Sequence, residues 1–241
     1  SDHDAHKFNG NISQWDVSRV TTMDFMFADA SAFNRDISSW DVSSVTTMAG
    51  MFASASSFNG GISPLDASTG ADLHGIATWD VSGVRNMNHM FYFAKSFNND
   101  LSKWDVSSVI DMNFMFSHAP SFNSDISKWD VSRVTDMESM FHSASSFGGK
   151  ISGWSVSKVS NMKSMFHSAS SFNGDLSKWD VSRVENMQEM FFEATSFAQT
   201  LCGEWSYSKA DQDDMFEDSP GRICNLTTPS PGTRTPTLVL G

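Results

Sequence analysis

With 28 Asp and Glu against 16 Lys and Arg, the 241-residue chain carries a formal charge of −12. Binding a phosphate backbone rests on cationic side chains, so nucleic acid is set aside as a partner. No run of about 18 apolar residues occurs, so no membrane-spanning helix is predicted and no leader peptide is read in the stretch shown; a mature or trimmed extracellular chain is expected.

Residues 1–7 make a short N-terminal segment. Ser1-Asp2-His3 would offer an amine, amides and an imidazole to Cu²⁺ or Ni²⁺ if Ser1 were the free terminus, although a plain terminal segment is the simpler reading. From residue 8 to residue 200 tryptophan recurs every 25 residues, at Trp15 and Trp40 and again at Trp79, Trp104, Trp129, Trp154 and Trp179. Each heads the motif W-D-V-S-x-V-x-x-M-x-x-M-F-x-x-A-x-x-F. Self-similarity at such a period marks a repeat protein whose units bury their apolar side only against their neighbours.

Within one unit the apolar positions are Ile12, Trp15, Val17, Val20, Met23, Met26, Phe27, Ala30 and Phe33. I-x-x-W-x-V predicts a short strand, and stacked strands predict a parallel sheet with a spacing of about 4.8 Å. The second half predicts a short helix. Seven places after each Trp stand Thr22, Thr47, Asn86, Asp111, Asp136, Asn161 and Asn186, all helix-capping types. Met, Met-Phe, Ala and Phe then follow at steps of three and four, on one buried face. Asn9-Gly10, Asn59-Gly60 and Asn173-Gly174, with Asn34, Asn98 and Asn123 at the same offset, are expected to close that helix in a left-handed turn. The methionines are read as core.

Two stretches break the pattern. Trp40 and Trp79 lie 39 apart, 25 plus 14, and the insertion at 63–76 opens with Leu65-Asp66-Ala67-Ser68 in place of W-D-V-S; a loop on one face is expected. Residues 201–226 read as an atypical capping unit in which Cys202 and Cys224, 22 residues apart, are expected to form a disulfide. The Thr- and Pro-rich tail, 227–241, reads as an extended stalk ending in a strand-like Thr237-Leu238-Val239-Leu240. Asn11 and Asn225 head glycosylation sequons.

The repeat F-N-x-D-I-S-x-W-D-V-S-x-V-x-x-M-x-x-M-F-x-x-A resembles that of the BspA-type leucine-rich-repeat surface proteins over roughly residues 8–200. The resemblance implies an extracellular or cell-surface scaffold for adhesion, with no shared catalytic residues. The insertion, Ser155 in place of Asp, and Gly148-Gly149-Lys150 depart from the pattern.

Among candidate sites, the Asp after each Trp comes first. Lys103, Lys128 and Lys178 stand two before Asp105, Asp130 and Asp180 and are expected to neutralise them, whereas Asp16, Asp41 and Asp80 lack such a lysine. These three could hold a hard cation such as Ca²⁺, although hydrogen bonding to local backbone N–H groups is the simpler role. His142 and His167 share an offset, and read as exposed helix more readily than as a metal pair. Phe25, Tyr92, Phe93, Phe114 and Phe192 occupy offsets that are small in neighbouring units and are expected to be exposed partner contacts. No nucleophile elbow, zinc helix or phosphate loop is present, so no enzyme is expected.

The sequence thus predicts an α/β repeat, a right-handed leucine-rich-repeat-like solenoid of about eight strand-helix coils with a parallel sheet on one face. Its partners would be a protein or glycan of the cell surface or matrix, or further copies through the solenoid ends and tail 233–241. No cofactor is expected beyond Ca²⁺. Calcium held at the acidic coils would raise the melting temperature, and Asp41→Asn with Asp80→Asn would abolish the rise; no shift at millimolar calcium removes the site.

Overall fold

The computed structural model describes residues 5–61 and 75–224. Residues 1–3, all but the last two residues of the 63–76 insertion, Asn225 and the 227–241 tail lie outside the described residues. Within them regular structure is sparse. There are 3-10 turns at Ala5–Lys7 and Gly75–Thr78, a four-residue helix α1 at Glu204–Tyr207, and a parallel pair formed by β1, Thr200–Leu201, with β2, Arg222–Ile223. The remainder is a stack of coils. Single-residue parallel bridges run Thr22, Thr47, Asn86, Asp111, Asp136, Asn161, Asn186, Asp211, one residue per coil and eight coils in all.

The coil is not built from a strand and a helix. Turns replace the strand expected around each Trp, and the parallel pairing falls instead on the residue seven beyond Trp, which was expected to cap a helix. The segment that follows is a ribbon of turns. In it the N–H groups of Met23, Phe25, Phe27 and Asp29 donate to Thr47, Ala49, Met51 and Ala53, each 24 residues ahead, while those of Met26, Ala28 and Ala30 donate three residues back. Two residues per coil, four apart, hold a left-handed backbone: Phe25 and Asp29, His89 and Phe93, Phe114 and His118. A left-handed non-glycine residue costs about 1–2 kcal/mol and cannot continue a right-handed helix, so the chain is reset every four residues and alternate N–H groups are turned toward the next coil. The apolar spacing of three and four survives because the turns have nearly the helical repeat. The capping residues keep their chemistry: the side-chain oxygens of Asn86, Asp111, Asp136 and Asn161 accept from the N–H two residues on at 2.9, 3.0, 2.9 and 3.1 Å.

Every inward position of the inner coils is fully buried. Phenylalanines stack in two columns, as in Phe116 on Phe122 at 3.7 Å within a coil and on Phe141 at 5.8 Å in the next. Burying one such side chain contributes about 1.5–3 kcal/mol. The tryptophans add a directional bond, because each indole N–H donates to a carbonyl of the preceding coil: Trp40 to Ile12, Trp104 to Ile76, Trp129 to Leu101 and Trp205 to Leu176, at 3.0–3.1 Å. Trp15 has no described coil before it and is 54% exposed.

Of the Asn and Asn-Gly positions expected in left-handed turns, Gly60 is left-handed at φ +69°, and none of the asparagines is. Their side chains form a ladder instead: Asn9 Oδ1 accepts from Asn34 N–H, Asn34 from Asn59, Asn59 from Asn98, Asn98 from Asn123, and Asn123 from Gly148, where the ladder stops. It resumes between Asn173 and Ala198. At the far end Cys202 and Cys224 are joined by a disulfide, and Cys224 N–H donates to Leu201 O at 2.8 Å. The covalent link thus fastens the start of a further turn of chain onto the last coil.

Replacing Trp129 by Phe leaves the buried Leu101 carbonyl without its indole donor and opens a gap, which is expected to cost about 1–3 kcal/mol in urea unfolding. Gly61, at φ +79°, would place a Cβ 2.5 Å from Asp36 Cα and 2.6 Å from Arg35 O, both backbone. Gly61→Ala is therefore expected to cost at least about 2 kcal/mol through clash and strain; a neutral change would contradict this close backbone approach.

Candidate functional site

The outer surface is organised in columns, one side chain per coil. In the Asp column the role is local. Asp16, Asp41 and Asp80 each accept through Oδ1 from the N–H of the Ser two places on at 3.1 Å, and from its hydroxyl at 2.6, 2.6 and 2.7 Å. The serine hydroxyl, then its amide, holds each carboxyl below the usual carboxylate range. The three do sit in one column, since Asp16 pushes Asp41 upward and Asp41 does the same to Asp80. Among the described residues no group of three or more His, Cys, Asp or Glu is arranged to hold a metal ion.

Two of the three lysines expected to neutralise this column act on a different carboxylate. Lys128 and Lys178 add to the serine hydrogen bonds that lower Asp125 and Asp175, not Asp130 and Asp180. After their own serines, the cations that lower Asp130 and Asp180 are Lys158 and Arg183. Among the described residues the one contact within 4 Å between a basic and an acidic side chain is the hydrogen bond of His167 Nδ1 with Glu189 Oε2, at 3.2 Å.

The aromatic candidates are not equivalent. Phe25 is 61% exposed at the N-terminal end, but Tyr92, Phe93, Phe114 and Phe192 are half-buried because their rings lie against other rings. Phe93 stacks on His118 at 4.2 Å, His118 meets His142 at 4.8 Å, His142 stacks on His167 at 4.4 Å, and His167 stacks on Phe192 at 4.7 Å. Tyr92 stands edge-on to Phe93 at 4.6 Å and to His89 at 5.3 Å, and His89 stacks on Phe114 at 4.7 Å. A ring column therefore crosses five coils, with three imidazoles between two phenyl groups. His142 and His167 are not exposed helix residues, and alignment on Trp hides His118, which falls one offset away. The N–H of residue 118 bonds the carbonyl of residue 142, 24 ahead, and that register brings the rings together.

Asn11, the described sequon residue, is exposed, and its side chain accepts from Ser13 N–H at 3.1 Å. These columns bring one hydroxyl against an imidazole, the fully buried Ser117 Oγ lying 3.0 Å from His118 Nδ1. They offer carboxylates engaged by their own chain, and ring edges stacked too closely to take a ligand between them.

Burial pushes His142 down to about 4, with the neighbouring His167 and His118 working the same way, and burial also lowers His118 and His89. Unfolded imidazole titrates near 6.5. A depressed histidine favours the neutral form in the fold, so this stability is present above about pH 6.5 and is lost as pH falls toward about 4. Asp136, raised by burial, works in the opposite sense. The urea midpoint is expected to fall between pH 7 and pH 4.5, and His142→Phe, which continues the ring column, to flatten that fall; an unchanged slope would mean the imidazoles are not coupled to folding.

No curated protein and no solved structure matches the chain. The model of one family matches residues 3–76, 66–154 and 126–227 in overlapping stretches that reach across nearly the whole chain. With its eight stacked repeats, the chain belongs to the family described as Mycoplasma protein of unknown function, DUF285.

Proposed function

We propose that the chain is a non-catalytic solenoid module displayed outside the cell, where its lateral surface serves adhesion to a protein or glycan of the cell surface or matrix, or assembly of further copies into a filament. The observation that carries this reading is the division of labour in each coil. Inward positions repeat one stacking pattern and the Asp after Trp recurs with it, whereas other outward columns change residue type from coil to coil, as in Asp29, Ser54, Phe93, His118 and Ser143, which is how a repeat scaffold varies its binding surface. The terminal disulfide supports an oxidising, extracellular setting. The resemblance to BspA-type surface repeats supports the same location and use. The ring column and the exposed Phe25 supply aromatic surface of the kind that protein contacts favour. A second reading is a Ca²⁺- or carbohydrate-binding module, favoured by the mutual proximity of Asp16, Asp41 and Asp80 beside the coil that carries the insertion.

Immobilised matrix proteins and a glycan array, probed with the full chain, are expected to give saturable binding. Absence of any saturable partner, together with polymeric rods in electron micrographs, would replace adhesion by a structural role. If the tail drives assembly, deleting Thr233–Gly241 lowers the particle size in light scattering, and an unchanged size counts against it.

A further inference from the structure

On a protein of charge −12, cations are concentrated in one column four places after Trp. Coil one carries Arg19 there and coils five to eight carry Arg133, Lys158, Arg183 and Lys209 in unbroken succession, whereas coils two to four carry Ser44, Gly83 and Ser108. The backbone sets these coils side by side: Ser160 N–H donates to Thr135 O at 2.9 Å, Glu185 to Ser160 at 2.8 Å and Asp211 to Glu185 at 3.0 Å. Lys158, Arg183 and Lys209 line one groove of about 540 Å³ with Ser160, Ser182 and a single carboxylate, Glu185. The four cations of coils five to eight make no ion pair within 4 Å among the described residues.

Neutralising the Asp column accounts for only part of the row. Lys158 and Arg183 help to lower Asp130 and Asp180, but neither pairs with them within 4 Å, and Lys209 persists where the Asp has become Ser206. Like charges one coil apart repel, by about 1 kcal/mol per pair at 4 Å even in water, so an unpaired row is ready for an anion to bridge it.

From this row we infer an anionic-glycan site: coils six to eight bind a linear sulfated polysaccharide along the groove, its acidic groups meeting Lys158, Arg183 and Lys209 and its hydroxyls meeting Ser160 and Ser182. Parallel strands repeat at about 4.8 Å, so the row offers one cation per coil at that step. Duplex DNA carries one charge per about 1.7 Å of axis and would bring nearly three charges per coil against an acidic protein. A chain bearing about one acidic group per sugar has the lower density that the row can match. The inference deepens the adhesion reading by naming the ligand class, and it moves the glycan surface from the acidic coils to the basic ones.

The test is binding of the full chain, by interferometry, to size-defined dextran sulfate oligosaccharides of low substitution, about one sulfate per sugar to match the row, with neutral dextran, phosphatidylserine vesicles and single-stranded oligonucleotides as the other probes. Saturable binding of the sulfated chain alone is expected, weakening with salt, and falling about tenfold or more in Lys158→Gln/Arg183→Gln. Lys103→Gln/Lys128→Gln, off the column, is expected to change it less than about twofold. All four residues are exposed, and unchanged melting curves establish that the variants fold. Failure of the wild type to bind, equal losses in both variants, or equal binding of vesicles or oligonucleotides overturns the inference. These results leave the location of the protein untouched, whereas finding it inside the cell would overturn the adhesion reading without abolishing groove binding.

Discussion

Everything in this molecule depends on the backbone bond between one coil and the next. In the turn ribbon alternate N–H groups donate to carbonyls of the next coil, 24 residues ahead or 38 across the insertion. Left without those partners, a buried N–H costs about 1–3 kcal/mol, so a coil on its own would be unstable and a stack is cooperative along its length. The left-handed residues are the cost of this arrangement, and the phenylalanine columns and indole bonds offset it. Stability is therefore nearest-neighbour in character, and the two ends differ. The C-terminal coil is fastened by the Cys202–Cys224 link, while Trp15, Phe8 and Phe25 face outward at the other end.

Much of this was legible in the residues. The 25-residue tryptophan period sets the coil length, and Phe33, Met48 and Phe116, read as inward, are buried. Local conformation was not legible, for a physical reason: a turn ribbon reset every four residues and an α-helix place side chains at the same spacings of three and four. Only the repeated left-handed positions distinguish them, and these are held by Phe, His, Ser, Asp and Glu, not by glycine alone. The side chains seven after Trp were correctly read as acceptors for free N–H groups, but they serve a turn. Asn34 and Asn98 were read as turn formers, and their side chains instead tie coil to coil.

Surface chemistry was legible only by column. Asp16, Asp41 and Asp80 stood out, and their serine partners sit two residues on in the same motif. His118 did not stand out beside His142, because the stack pairs residues 24 apart as well as 25 apart. The basic row was in plain view at one offset, and it was overshadowed by the net charge of the whole chain. A stack of coils can carry opposite surfaces on different coils, so the sum of its charges describes neither.

The most direct test of the coil is NMR of cross-hydrogen-bond couplings in the central repeats. The N–H of Phe116 is predicted to couple to the carbonyl of Met140 in the next coil, to which it donates at 2.9 Å. A coupling from Phe116 to the carbonyl of Met112, four residues back, would mean that the segment is an α-helix and would contradict the account.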